Sequence, residues 1–187
     1  MCLSKLNLLT GIAILLSLSP VIAQKPNPPF PGMQSPFKLQ SINHTLFYIQ
    51  RNKNANTVFY DARFTKPGKL DDESPVDVYY IHYASDGKRD ELNYLERTLA
   101  YGYTFTKDGA NHYTIKLRAF PKRTVDLKIP PGSGVPVAYT VINGKRAILT
   151  NLYVEAKPSM YTSVVWVDLF GTDPETGKPV KERIYNK

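Results

Sequence analysis

The chain has 187 residues, of which 42% are hydrophobic and 12% aromatic. Its single cysteine, Cys2, excludes a disulfide framework, so a hydrophobic core has to supply the stability. Lys and Arg number 24 against 16 Asp and Glu, a formal net charge of +8, which indicates anionic partners or simple solubility.

Residues 1–23 are typical of a cleaved secretory signal. Lys5 supplies the positive charge near the N-terminus, and residues 8–18 form the apolar region. Ala23 is the small residue that precedes a predicted cleavage site before Gln24. The apolar run is too short to span a bilayer, and Cys2 lies upstream of it, where no lipoprotein anchor forms. The sequence therefore predicts a secreted or periplasmic protein with no transmembrane segment after signal removal. For such a chain, anionic glycans, envelope components or an envelope protein are favoured over nucleic acid.

Residues 24–44 are predicted to be a linker, because five prolines fall between positions 26 and 36 and stiffen the backbone. A single domain is predicted over 45–187. Its first elements are strands over 46–50 and 57–64, paired as a hairpin, followed by a loop over 65–75.

Residues 76–83 are apolar on both faces, so the strand they predict is central or has its outer face covered. Leu92, Leu95 and Leu99 recur at helical spacing after Asp90, a plausible N-cap, which predicts a short helix over 91–100 as that cover. The alternative pairs residues 88 onward with this strand through the turn signal Asp86-Gly87.

Strict alternation predicts half-buried strands over 113–119 and 125–129. Residues that face each other across a hairpin share a face of the sheet. A three-residue loop over 120–122 keeps the two apolar sets together and would place Leu117 opposite Val125.

The Asn-Gly pair at 143–144 is the sharpest hairpin signal, since both residues tolerate the positive φ of a type I′ turn. It predicts strands over 135–142 and 145–154, with Tyr139 opposite Ile148.

A core strand over 163–170 carries the only tryptophan, and a charged strand over 180–185 suits a sheet edge. The predicted fold is all-β and mainly antiparallel. It is a single-domain barrel or a two-sheet sandwich of about nine or ten strands, with at most one short helix.

The chain lacks the residue spacing of common catalytic and metal sites. His44, His82 and His112 lie on separate segments, so neither a metal nor another cofactor is predicted. Asp77 and Asp168 each sit inside an apolar strand, where a partner such as an arginine is expected. A glycan-directed hydrolase would instead need two carboxylates about 5–10 Å apart in a cleft.

Two groups of side chains are candidate binding surfaces. Aromatic rings with polar tips suit a carbohydrate, a lipid-like ligand or a protein interface. The candidate ligand-binding residues flank the turn and the predicted helix: Tyr80, His82, Arg97, Tyr101 and Tyr103. The candidate anion-binding residues lie on the outer face and tip of the hairpin after them: Lys116, Arg118, Lys122, Arg123 and Lys128.

Three aromatic segments resemble a known family. They are Phe47-Tyr48-Ile49-Gln50-Arg51-Asn52, Pro75-Val76-Asp77-Val78-Tyr79-Tyr80-Ile81, and the stretch from Leu92-Asn93-Tyr94 to Ala100-Tyr101-Gly102-Tyr103. The chain resembles, over residues 45–186, an uncharacterised exported bacterial family called domain of unknown function 4833. The resemblance implies an exported single domain and assigns no activity and no catalytic residues.

We therefore expect a non-catalytic binding module that uses the aromatic pocket or the basic hairpin face. A structural or accessory component of a cell-envelope complex is the alternative, and a glycan-directed hydrolase is the third hypothesis.

Overall fold

A computed structural model of the chain describes residues 44–51, 56–83, 85–157 and 163–186. The predicted signal and the predicted linker up to residue 43 lie outside these residues. Strands account for 59% of the structure, which contains no helix of seven or more residues. The prediction of an all-β fold is confirmed, and the sheet is a curled half-barrel.

The strands are numbered in chain order. They are β1 Thr45–Arg51, β2 Thr57–Ala62, β3 Phe64–Lys66, β4 Lys69–Leu70, β5 Val76–Ile81, β6 Arg89–Glu91, β7 Tyr103–Gly109, β8 His112–Leu117, β9 Thr124–Lys128, β10 Val137–Ile142, β11 Lys145–Ala156, β12 Val164–Thr172 and β13 Pro179–Tyr185. Three of them (β3, β4 and β6) have only two or three residues, and the other ten match the predicted number.

Eleven strands form the main sheet, in the order β6-β5-β2-β1-β11-β10-β9-β8-β7, with β12 beside β11 and β13 beside β12. Strands β3 and β4 form a separate small sheet inside the segment predicted to be a loop. β11 is central because it pairs with β10, β1 and β12. The β1–β11 pair is parallel, and the other pairs are antiparallel.

The hairpin of β10 and β11 is the one that the Asn-Gly pair predicts. Asn143 and Gly144 have φ values of 50° and 75°, and Tyr139 lies opposite Ile148. Both predictions are confirmed.

The register predicted for β8 and β9 is wrong by two residues, because Ile115 and not Leu117 lies opposite Val125. Pro121 has no amide hydrogen for a tight hairpin. The chain instead turns twice, with the Phe120 amide donating to the Leu117 carbonyl and the Arg123 amide donating to the Phe120 carbonyl. An even shift leaves every side chain on its predicted face.

The predicted helical cover of β5 is wrong. Residues 89–91 form β6 and pair with β5, as the alternative proposed, and a π-helix follows over Glu96–Ala100. Leu92 is buried, whereas Leu95 and Leu99 are 63% and 68% exposed. The helix therefore points its leucines away from the sheet.

Asn93, and not Asp90, caps this helical segment. The Asn93 side-chain oxygen accepts the Glu96 amide at 3.0 Å, and the Glu96 carboxylate accepts the Asn93 amide at 2.9 Å. This reciprocal capping box fixes the entry to the helix.

The main core lies on one face of the curled sheet, where Tyr60, Tyr113 and Leu127 are completely buried. Among the described residues, none forms a helix that is long and apolar enough to cross a membrane.

Candidate functional site

A cavity of about 270 Å³ lies on the core face of β1, β2 and β5, and we call it the Tyr80 pocket. Ile49, Val58 and Tyr80 are consecutive cross-strand partners, so their side chains share one face and line the pocket together. The helical segment adds Glu96 and Tyr101. The pocket thus forms where the end of the sheet meets the only helix of the described chain.

Three aromatic rings converge in this pocket. The rings of Tyr80 and His82 are stacked with centroids 5.4 Å apart, and Tyr101 meets Tyr80 edge-on at the same distance. Tyr101 is held by its backbone, because the buried Tyr60 hydroxyl donates to its carbonyl oxygen at 2.6 Å. The aromatic walls are therefore fixed by contacts outside the pocket.

The Tyr80 phenol remains protonated over the whole physiological range. Burial raises its pKa, and a hydrogen bond with Tyr101 raises the pKa further. The hydroxyl is therefore a neutral group that can donate or accept a hydrogen bond.

The charged lining consists of Arg51 and Glu96. Glu96 is oriented by its bond from the Asn93 amide, and His82 lies 3.5 Å from the Asp90 carboxylate. A guanidinium and a carboxylate at one small cavity can bind the hydroxyls of a polar ligand from two directions.

Two of the five predicted ligand-binding residues lie elsewhere. The Tyr103 hydroxyl donates to the Val76 carbonyl at 2.7 Å and accepts the Val76 amide at 3.1 Å, so Tyr103 joins β7 to the start of β5. Arg97 forms an ion pair with Glu91 at 3.1 Å on the helix surface. The structure brings together Tyr80, His82 and Tyr101.

Sequence reasoning missed Ile49, Val58, Arg51 and Glu96 as pocket residues. The first two could have been found from the β1–β2 hairpin, since its register fixes which side chains share a face with Tyr80. Glu96 follows from the capping-box spacing after Asn93.

The five predicted anion-binding cations separate into two sets. Lys116, Arg118 and Lys122 are exposed, and within the described residues none of them forms an ion pair. Arg123 is only 23% exposed, and it bonds to the Val141 carbonyl and, at 2.8 Å, to Glu182. Lys128 lies 3.5 Å from Asp126. The first set alone presents free positive charge, and we call it the basic loop: Arg118 and Lys122 lie in the loop after β8, and Lys116 lies at the adjoining end of β8.

The two strand-embedded aspartates have arginine partners, as predicted. Asp77 accepts a bond from Arg89 at 2.8 Å, and Asp168 accepts two from Arg183 at 2.7 and 2.8 Å. Four inter-strand spacings separate β5 from β12, a path of roughly 19 Å along the curled sheet. Each aspartate is thus held by its own arginine on a different strand, which fits a structural role.

The part of the chain that the structure describes contains no group of three or more His, Cys, Asp or Glu residues that could hold a metal ion. The model of the family described as Domain of unknown function (DUF4833) matches residues 47–183. No curated protein and no solved structure matches the chain.

Proposed function

The chain belongs to the DUF4833 family, and we propose that it is an exported, non-catalytic binding module that holds a small ligand in the Tyr80 pocket. The convergence of Tyr80, His82 and Tyr101 over an apolar floor carries this proposal. Secretion or periplasmic location is part of the proposal and is supported by the signal-like residues 1–23.

The ligand class follows from the size and lining of the pocket. Its volume of about 270 Å³ lies just below the range of roughly 300–1,000 Å³ that is usual for ligand pockets, which disfavours a long acyl chain. Aromatic faces pack against apolar C–H surfaces, while Arg51 and Glu96 suit hydroxyl groups. We propose a single sugar unit, free or at the end of a glycan.

The test is titration of the purified protein with a panel of monosaccharides that includes uronic acids and amino sugars. Binding is followed by calorimetry and by saturation-transfer NMR. Replacing Tyr80 or Tyr101 by Leu removes an aromatic wall, and each variant is expected to bind about tenfold more weakly. The Tyr101→Leu variant keeps the backbone carbonyl that accepts the Tyr60 hydroxyl, and its circular dichroism spectrum and melting temperature check that the fold is retained.

Tyr139→Leu is the matched control. Tyr139 lies opposite Asp126 and Ile148 in the sheet, away from the pocket, and stacks under the Arg146 guanidinium at 3.9 Å. The control should bind like the natural protein. If no monosaccharide binds, or if the pocket variants bind as well as the control, the proposal is wrong.

Two other functions have weaker support. An accessory role in an envelope complex is supported by β13, which within the described chain pairs only with β12 and so leaves an edge for another strand. A glycan hydrolase is less well supported, because Glu96 is the only carboxylate among the described residues that line the pocket.

A further inference from the structure

Three large apolar side chains project into solvent from the helical segment beside the Tyr80 pocket. Tyr94, Leu95 and Leu99 are 79%, 63% and 68% exposed. They form the largest group of exposed apolar side chains close together in the described sequence, and we call them the apolar knob.

The knob is held by fixed contacts on both sides. Leu92 is buried before it, the Asn93–Glu96 capping box holds its start, and the Tyr101 amide bonds to the Glu96 carbonyl at its end. The backbone on both sides is therefore well anchored, and it holds Leu95 and Leu99 in their exposed positions.

The basic loop lies directly beside this helix. The Arg118 amide donates to the Gly102 carbonyl at 2.8 Å, and the Ala119 amide donates to the Ala100 carbonyl at 3.2 Å. These bonds join the loop after β8 to the C-terminal end of the helix. The loop that carries Arg118 and Lys122 is thus attached to the helix that carries the apolar knob.

The residues that lead into the helix also carry acidic side chains, namely Asp90, Glu91 and Glu96. Glu91 is paired with Arg89 and Arg97, and Asp90 lies 3.5 Å from His82. Residues 89–97 and the basic loop together carry five Lys and Arg against three Asp and Glu, so their net charge is +2.

We propose that the apolar knob inserts into the interface of an anionic lipid bilayer while the basic loop contacts the lipid headgroups. Leucine and tyrosine side chains suit the boundary between headgroups and acyl chains, and adjacent cations are attracted to anionic lipids. The pairing of protruding apolar groups with free cations is what such a surface requires.

The size of the knob favours a bilayer over a protein partner. Three side chains at these exposures present on the order of 400 Å², about half of what one partner contributes to a standard protein interface. Insertion into a bilayer needs no complementary surface, so a small knob is sufficient.

The test measures insertion at the knob itself, independently of the rest of the chain. In the chain from Gln24 onward, which lacks Cys2 and the apolar run over 8–18, Leu95→Cys carries an environment-sensitive fluorophore, and vesicles of phosphatidylcholine with one-third phosphatidylglycerol are added. The emission is expected to shift to the blue with these vesicles and much less with phosphatidylcholine alone. A label at Val135→Cys, which is 55% exposed in the loop before β10, is the control and should not respond.

Two sets of substitutions test the two parts of the proposal. Leu95→Ser with Leu99→Ser, and separately Arg118→Glu with Lys122→Glu, should each lower partitioning onto the anionic vesicles about tenfold. Lys178→Glu, on the exposed turn before β13, is the matched charge control and should bind normally.

No blue shift at position 95 with anionic vesicles would overturn the proposal. Equal partitioning of the natural chain and both double variants would also overturn it. If the natural chain forms a complex of defined size with a protein and ignores vesicles, the partner is a protein and the proposal is wrong.

Discussion

A carboxylate inside a strand needs partners, and Asp168 shows how this chain supplies them. Asp168 is 2% exposed. Arg183, its cross-strand partner, contacts both carboxylate oxygens, and Lys181 lies 2.7 Å from one of them. The Arg183 guanidinium also lies 3.8 Å from the centre of the Trp166 ring. A charged side chain is therefore accommodated on β12 by neighbours on the edge strand.

The pKa of Asp168 reflects two opposing effects. Burial raises the pKa, but the hydrogen bonds from Arg183 and Lys181 outweigh burial, and the pKa lies below its usual value of 3.8. A lowered pKa in the folded state means that ionised Asp168 stabilises the fold above about pH 4. This contribution is lost as the pH falls through the folded-state pKa.

The Asp168→Asn substitution should lower the free energy of unfolding at pH 7 by about 1–3 kcal/mol, because both cations lose their charged partner. The difference from the natural chain should shrink as the pH falls below about 4. Urea titrations at several pH values measure it, with Glu175→Gln in the exposed turn as the control. An equal loss at pH 3 and at pH 7 would contradict this account.

At the residue scale, the sequence predicts that a side chain needs a partner more reliably than it predicts which residue that partner is. The position of Asp168 in an apolar strand predicts an arginine, and the β12–β13 hairpin makes Arg183 reachable. The sequence pattern predicts Arg123 on a free basic surface, yet Arg123 binds Glu182, 59 residues away. Nothing local in the sequence signals a contact of that range.

Among the elements, the helical segment depends on Gly102. A Cβ atom added there would lie 1.8 Å from the Arg97 carbonyl oxygen and 2.8 Å from its carbonyl carbon. The backbone of the helix and the start of β7 thus approach each other more closely than any side chain allows. This approach brings Tyr101 over Tyr80.

Gly102→Ala should displace the helix and lower the free energy of unfolding by about 1–3 kcal/mol, since backbone atoms have to move. It should also weaken ligand binding at the Tyr80 pocket. Gly109→Ala is the control, because its added Cβ would meet only the His112 Cβ at an ordinary 3.9 Å. Thermal unfolding and the NMR shifts of the Tyr101 ring measure both effects. Unchanged Tyr101 shifts in the Gly102 variant would refute the proposed close approach.

The leucine spacing predicts the existence of this helix but not its orientation. Leu92 lies before the capping residue Asn93 and outside the helix, so the three leucines do not share a helical face. The Tyr101 amide reaches the carbonyl five residues earlier, which makes the turn a π-helix. Only the packing of the segment against the sheet decides which leucine is buried.

For the molecule as a whole, hairpins are predictable and the closure of the sheet is not. Turn chemistry fixes neighbours such as β10 and β11. The parallel β1–β11 pair joins segments about a hundred residues apart. No turn signal in the sequence predicts this pairing. For this reason the sequence does not distinguish a barrel from a sandwich, and the sheet is a half-barrel whose last gap is bridged by side chains.

The gap lies between β5 and β7, which within the described residues share no ladder. The Tyr103 hydroxyl bridges the amide and the carbonyl of Val76. The Asn111 side chain, in the turn between β7 and β8, accepts the Leu70 amide and donates to the Gly68 carbonyl, both at 2.9 Å, and so links that turn to the β3–β4 hairpin. Side chains thus make contacts on this side of the molecule, where β5 and β7 form no ladder within the described residues.

The same gap is also held by Asp72. The Tyr113 hydroxyl donates to Asp72 at 2.6 Å and Lys107 lies 3.0 Å from it. The hydrogen bond from Tyr113, followed by that from Lys107, lowers the pKa of Asp72 to about 2. The carboxylate therefore stays ionised at any pH above its usual value of 3.8, so mild acid does not remove this contact.

If side chains close the sheet, removing one hydroxyl should open the gap locally. Tyr103→Phe leaves the ring in place but takes the partner from both the amide and the carbonyl of Val76. The free energy of unfolding should fall by about 1–3 kcal/mol, and hydrogen exchange at the Val76 amide should accelerate more than exchange in β10 and β11. Tyr94→Phe removes an exposed hydroxyl and should change neither quantity.

If Val76 exchanges at the same rate in Tyr103→Phe as in the natural chain, the bond does not close the sheet. Ladder pairing along β5 would then be sufficient to hold that edge.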